Sequence, residues 1–170
     1  MTETPAGRTG PPPGTTLVIG VGNAWRGDDA AGLEVVRRLR GRSTLSVTIV
    51  ELSGEATELL DAWSAADWVV VIDAVTSGAP AGTLHRLDAA DGPLPAHLFS
   101  HSTHGWGVAQ AIELGRSLGR LPSRLTVWGI ESRVFDAGRT LSPAVERAVD
   151  AVTEQLAAAL APRIGGPPRA

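Results

Sequence analysis

The chain has 170 residues, 43% of them hydrophobic, with a net charge of −3 and no cysteine. That length and composition set one domain with a real core and exclude a disordered chain, and the charge offers no footing for nucleic acid or an anionic membrane surface. The missing cysteine removes disulfides, thiolate zinc sites, iron–sulfur clusters and cysteine nucleophiles, so any metal must be held by His, Asp, Glu or backbone oxygen.

The first fourteen residues are rich in Pro and Gly and contain no apolar core of a secretory signal. No apolar stretch is long enough to span a bilayer. A cytoplasmic protein is the simplest expectation. Residues 1–15 and 162–170 are expected to be flexible tails around a single domain over 16–161, without internal repeat or domain boundary.

Thr16-Leu17-Val18-Ile19 reads as a buried strand closed by Gly20. Asp28 and Asp29 then open a helix with Leu33, Val36 and Leu39 on one face, and Gly41 stands where it should stop. Val47 to Val50 is a second β-branched run, followed by a helix from Glu55 to Trp63 with Leu59 and Leu60 inward. Trp68 to Ile72 is apolar without alternation, the mark of a strand buried on both faces. Thr83 to Leu87 alternates, as an edge strand does, and 88–101 reads as a loop. A helix carrying Val108, Ile112 and Leu118 ends near Gly119, and Leu125 to Ile130 is a further strand. Ser142 caps the last helix, with Pro143 at its first position and Val145, Val149, Val152, Leu156 and Leu160 buried.

The order β-α-β-α-β-β-α-β-α defines an α/β fold, a largely parallel sheet with helices on both faces. Ligands of such sheets bind outside the carboxyl ends of the strands. Gly22-Asn23 and Asp73 both follow strands and so share one rim.

Gly20-Val21-Gly22 suggests a dinucleotide turn, but Trp25 stands where the third glycine belongs. Gly22 to Gly27 has phosphate-loop spacing, but Asp28 and Asp29 replace the Lys and Ser/Thr. Two acids at a helix start repel a phosphate and attract a cation. Helix capping is the alternative role for the pair, and it occupies one Asp, leaving the other free. Asp73 reads either as a strand-end turn residue or as a functional carboxylate.

His104, between Ser102-Thr103 and a helix, reads as an exposed helix-start residue or as an imidazole ligand, with His101 as its local competitor. His85 and His97 read as structural or exposed. Glu131 reads as a core-capping acid or one that supports the site. The acidic pair, Asp73 and His104 together offer two carboxylates and an imidazole, the donors of an open nitrogen–oxygen metal site. Trp25 and Trp106 flank it and are candidates for partner contact; the other tryptophans are expected in the core.

These segments together resemble the hydrogenase maturation endopeptidases. The resemblance rests on Gly20-Val21-Gly22-Asn23 with Asp28-Asp29 and Gly32, on Val71-Ile72-Asp73-Ala74, and on Ser102-Thr103-His104. It continues through Gly119-Arg120-Leu121-Pro122, Gly129-Ile130-Glu131 and Leu141-Ser142-Pro143-Ala144-Val145, and covers nearly everything between the tails. It implies a three-layer fold with a twisted five-stranded sheet. It implies a protease that trims the C-terminus of a [NiFe] hydrogenase large-subunit precursor. Asp29, Asp73 and His104 would contact nickel supplied by that substrate, with Asp28 as the alternative to Asp29, and no organic cofactor is implied. Asp29 stands where some members carry Glu. Trp25-Arg26 replaces smaller or aliphatic residues and is expected to tune recognition of the hydrogenase. The competing expectations are a metal- or maturation-factor-binding module without proteolysis, and a metal-dependent hydrolase of small molecules.

Overall fold

The computed structural model describes residues 15–42, 45–95, 98 and 107–161. The two tails, His97, His101, His104 and Trp106 lie outside the described residues.

Among the described residues five strands form one sheet: β1 (Thr16–Val21), β2 (Thr48–Leu52), β3 (Trp68–Val75), β4 (Leu84–Asp88) and β5 (Arg124–Glu131). Their order is β2-β1-β3-β5-β4, all parallel except the antiparallel edge strand β4. The helices are α1 (Ala31–Arg40), α2 (Ala56–Trp63), α3 (Val108–Ser117) and α4 (Pro143–Leu160). A short 3-10 turn, Gly27–Ala30, precedes α1.

The strands with continuous apolar runs are the central ones, because each must satisfy two cores. Leu17, Ile19, Val69, Val71, Leu125 and Val127 face α2 and α3, where Leu59, Leu60 and Trp63 are buried. Val18, Val70, Ile72, Trp128 and Ile130 face α1 and α4, meeting Val36, Leu39, Val149 and Val152. The three-layer α/β architecture is the expected one. α4 buries the whole stripe Val145, Val149, Val152, Leu156 and Leu160.

Two details differ from expectation. Leu118 is 55% exposed. α3 stops at Ser117, Leu118 is its C-cap, and Gly119 at φ +63 then turns the chain away. Ser142 sits at the N-cap of α4 but its side chain makes no capping bond, because it is engaged elsewhere.

Two glycines set how closely α1 approaches the sheet. A methyl group on Gly32 would lie 2.2 Å from the Ile72 carbonyl oxygen and 2.5 Å from that of Val21. One on Gly22 would lie 1.9 Å from the Asp29 carbonyl oxygen. The glycines of this segment therefore serve helix–strand contact, and the contact draws the acidic turn onto the end of β3.

Candidate active site

Four carboxylates gather at the carboxyl ends of β1, β3 and β5, and they divide into two pairs. Asp28 and Glu131 are saturated with hydrogen bonds. Asp29 and Asp73 confront each other.

Asp28 is fully buried. Its Oδ1 accepts from the Ser142 N–H at 2.7 Å. Its Oδ2 accepts from the Ser142 hydroxyl at 3.0 Å and from the N–H groups of Val134 at 3.1 Å and Arg133 at 3.3 Å. In turn the Asp28 N–H donates to the Val134 carbonyl. This carboxylate pins the β5–α4 loop to the turn before α1, and it caps neither helix. Replacing it with alanine strands several buried donors, each worth about 1–3 kcal/mol. Asp28→Ala is therefore expected to lower stability by about 3 kcal/mol, read as a reduced urea midpoint at unchanged slope.

Glu131 ends β5, also fully buried. It accepts from the Ser77 N–H at 2.9 Å, the Ser77 hydroxyl at 2.8 Å and the Gly78 N–H at 3.0 Å, with His85 Nε2 at 3.3 Å. Burial pushes its carboxyl up, but these bonds outweigh burial and hold it below the usual carboxylate range. His85 is thereby a structural residue. Arg133 completes the bracing by donating to the carbonyls of Gly78 and Ala79 at 3.1 and 2.9 Å. The β1–α1, β3–β4 and β5–α4 loops are thus tied into one rim.

Asp29 is 6% exposed, in the turn that Gly22 and Gly32 seat on the sheet. Asp73 is the sixth residue of β3, in register with Gly129 of β5. Its carboxyl is pushed up to about 8, first by burial and then by the Asp29 charge; the Ala74 N–H lowers it by less. Two carboxylates in one desolvated place cannot both hold full charge. The strain has two remedies, a proton or a cation. The donors are hard oxygens, suited to a divalent metal.

Among the described residues no group of three or more His, Cys, Asp or Glu side chains could hold a metal. The structure brings Asp29 and Asp73 together, while the third expected member, His104, lies outside the described residues. A cleft of about 620 Å³ lined by Trp68, Trp128, Arg86 and Arg124 sits at the opposite ends of the strands and contains none of these acids. Sequence reasoning missed the clamp made by Asp28, because three of its four donors are backbone amides 105 to 114 residues away.

Fold and site together define an α/β domain with an acidic pair on an open rim, braced from beneath by two further carboxylates. The profile of the hydrogenase maturation protease family matches residues 33–159. The Hydrogenase 2 maturation protease of Escherichia coli K12 is 34% identical over 150 residues, spanning 85% of this chain and 89% of that protein. HupD, a hydrogenase expression/formation protein of Thiocapsa roseopersicina, is 29% identical over 81% of this chain and 64% of its own length. The solved hydrogenase maturating endopeptidase HybD from E. coli has a TM-score of 0.72 at 31% identity, covering 86% of this chain and 91% of that one. The Thermococcus kodakarensis HybD shares the fold with a TM-score of 0.65 at 21% identity, over 86% of this chain and 99% of that one.

The chain belongs to the hydrogenase maturation protease family. It is accordingly a peptidase. No described helix is long and apolar enough to cross a membrane.

Proposed function

We propose that this protease removes a short C-terminal extension from the nickel-loaded large-subunit precursor of a [NiFe] hydrogenase, in the cytoplasm, and that Asp29 and Asp73, with His104, engage the precursor's nickel. The observation that carries the reading is the crowding of Asp29 against Asp73, which leaves Asp73 holding a proton to about pH 8. A site of this kind favours an incoming divalent cation over no cation, and releases the Asp73 proton when one arrives. The nickel belongs to the substrate.

In the cleavage step water adds to the scissile carbonyl carbon and gives its proton to a carboxylate of the pair. The peptide C–N bond breaks, and the proton passes to the leaving nitrogen. Positive charge at the site lowers the cost of the developing oxyanion.

The test is incubation of the purified protein with its nickel-loaded precursor, read by intact mass. Loss of one short C-terminal peptide is the expected result. A precursor left whole, while shown competent with a protease known to process it, would contradict the proposal.

A further inference from the structure

Trp25 is 62% exposed at the tip of the β1–α1 turn, four residues before Asp29. Its backbone is anchored: the main-chain N–H donates to Asn23 Oδ1 at 2.9 Å, and the carbonyl accepts from the Gly138 N–H at 2.9 Å. The Gly27 N–H returns a bond to the Gly138 carbonyl at 3.0 Å. The Arg139 guanidinium lies over the indole, 3.6 Å from the ring centroid. A large aromatic presented rigidly loses little entropy on contact, and Trp and Arg are the side chains that dominate binding hot spots.

The indole also walls a cleft of about 300 Å³, together with Asn23, Leu33, Leu52 and Ser53. Leu33 is buried and Leu52 half-buried, so part of its lining is apolar. The surrounding charge is mixed: Glu55 and Glu58 bond Ser53 at the β2 side of the cleft, while Arg133 and Arg139 stand on the β5–α4 loop. The Arg133 guanidinium bonds only neutral carbonyls among the described residues, and Arg139 makes no ion pair among them. Glu51, at the cleft, is occupied by Arg37 and Arg40. Asp136 is the acid on the Arg139 loop. A guanidinium stacked on a ring still offers its in-plane N–H groups to a carboxylate.

We propose that Trp25, Arg139 and the cleft between the β1–α1 turn and the end of β2 form a docking subsite for the precursor, taking a segment that places an apolar side chain in the cleft and an acidic one on Arg139. The subsite rests on the proteolytic reading above and deepens it, since it names where on the rim the folded substrate is gripped and by what chemistry. Trp25 acts in binding and specificity; the acidic pair acts on the bond.

The experiment measures precursor cleavage and precursor binding together, for the wild type, Trp25→Ala, Trp25→Phe and Arg139→Ala. Trp25→Ala is expected to raise KM and Kd about tenfold with kcat within about twofold, and Trp25→Phe to recover most of the loss. Rising salt is expected to weaken wild-type binding and to change Arg139→Ala binding little. Melting temperatures of the variants should match the wild type, since both side chains lie outside the core. Unchanged KM and Kd in Trp25→Ala would overturn the subsite, as would a fall in kcat alone. A wild type that binds the precursor without cutting it would remove the proteolytic reading, and the Kd comparison would still decide the subsite. A wild type that does not bind would overturn the subsite as well.

Discussion

Asp73→Asn is expected to abolish precursor cleavage and, in the free protein, to raise thermal stability at neutral pH. The two effects share one cause. The Asp73 carboxyl has an ordinary value of 3.8 and is pushed up to about 8 in the fold by burial and by Asp29. Between about pH 4 and pH 8 the folded chain therefore keeps a proton that the unfolded chain has released. Stability falls as pH rises through that window and levels off above it, because the unfolded state binds fewer protons there. Asparagine cannot ionise, so it escapes the penalty.

An open rim screens part of the effect, and about 2 kcal/mol at pH 8 is a reasonable scale, or about 6 °C in Tm. Melting curves of wild type and variant at pH 5 and pH 8 would check it. The gap should be small at pH 5 and widen at pH 8. A gap independent of pH would show that Asp73 is not crowded as described, and retained cleavage would remove it from the chemistry.

Gly32→Ala is expected to be among the most damaging single-methyl changes at the described glycines. The added carbon would sit 2.2 Å from the Ile72 carbonyl oxygen and 2.5 Å from that of Val21. Both are backbone atoms of paired central strands, so neither can turn aside. α1 would have to lift away, opening the core around Val36 and Leu39 at a cost of about 3 kcal/mol or more. The same movement carries Asp29 away from Asp73, so cleavage should fall further than stability alone accounts for. Urea unfolding and precursor cleavage on the soluble fraction would be compared. A wild-type midpoint with full activity would refute the close contact between α1 and the sheet.

The legible part of this fold was its interior. Continuous apolarity at Trp68–Ile72 marks β3 as central, and alternation at Thr83–Leu87 marks β4 as an edge, because burial on two faces and on one leave different patterns. The stripe of α4 was legible in full for the same reason. The end of α3 at Gly119 was legible as well, but the exposure of Leu118 was not, because Leu118 is the C-cap and lies past the last helical residue.

At the rim the residue types were legible and the division of labour was not. Asp28 and Asp29 are adjacent and identical, yet one is spent on four donors from the β5–α4 loop and the other meets Asp73. Three of those four donors are backbone N–H groups, which every residue but proline carries, so no side-chain pattern announces them. Glu131 was recognisable as a strand-end acid, but its bonds to Ser77 and Gly78 depend on how the β3–β4 loop folds back. Gly20 and Gly22 imitate a nucleotide turn because close backbone approach needs glycine whether the neighbour is a phosphate or a helix.

The central claim is that the acidic pair reads nickel in the substrate. Its most direct test is the initial rate of C-terminal cleavage on two otherwise identical precursors, one nickel-loaded and one nickel-free. The account predicts cleavage of the loaded precursor and none of the nickel-free one. Equal rates on both would contradict it, and would leave Asp29 and Asp73 as acid–base groups that never meet the metal.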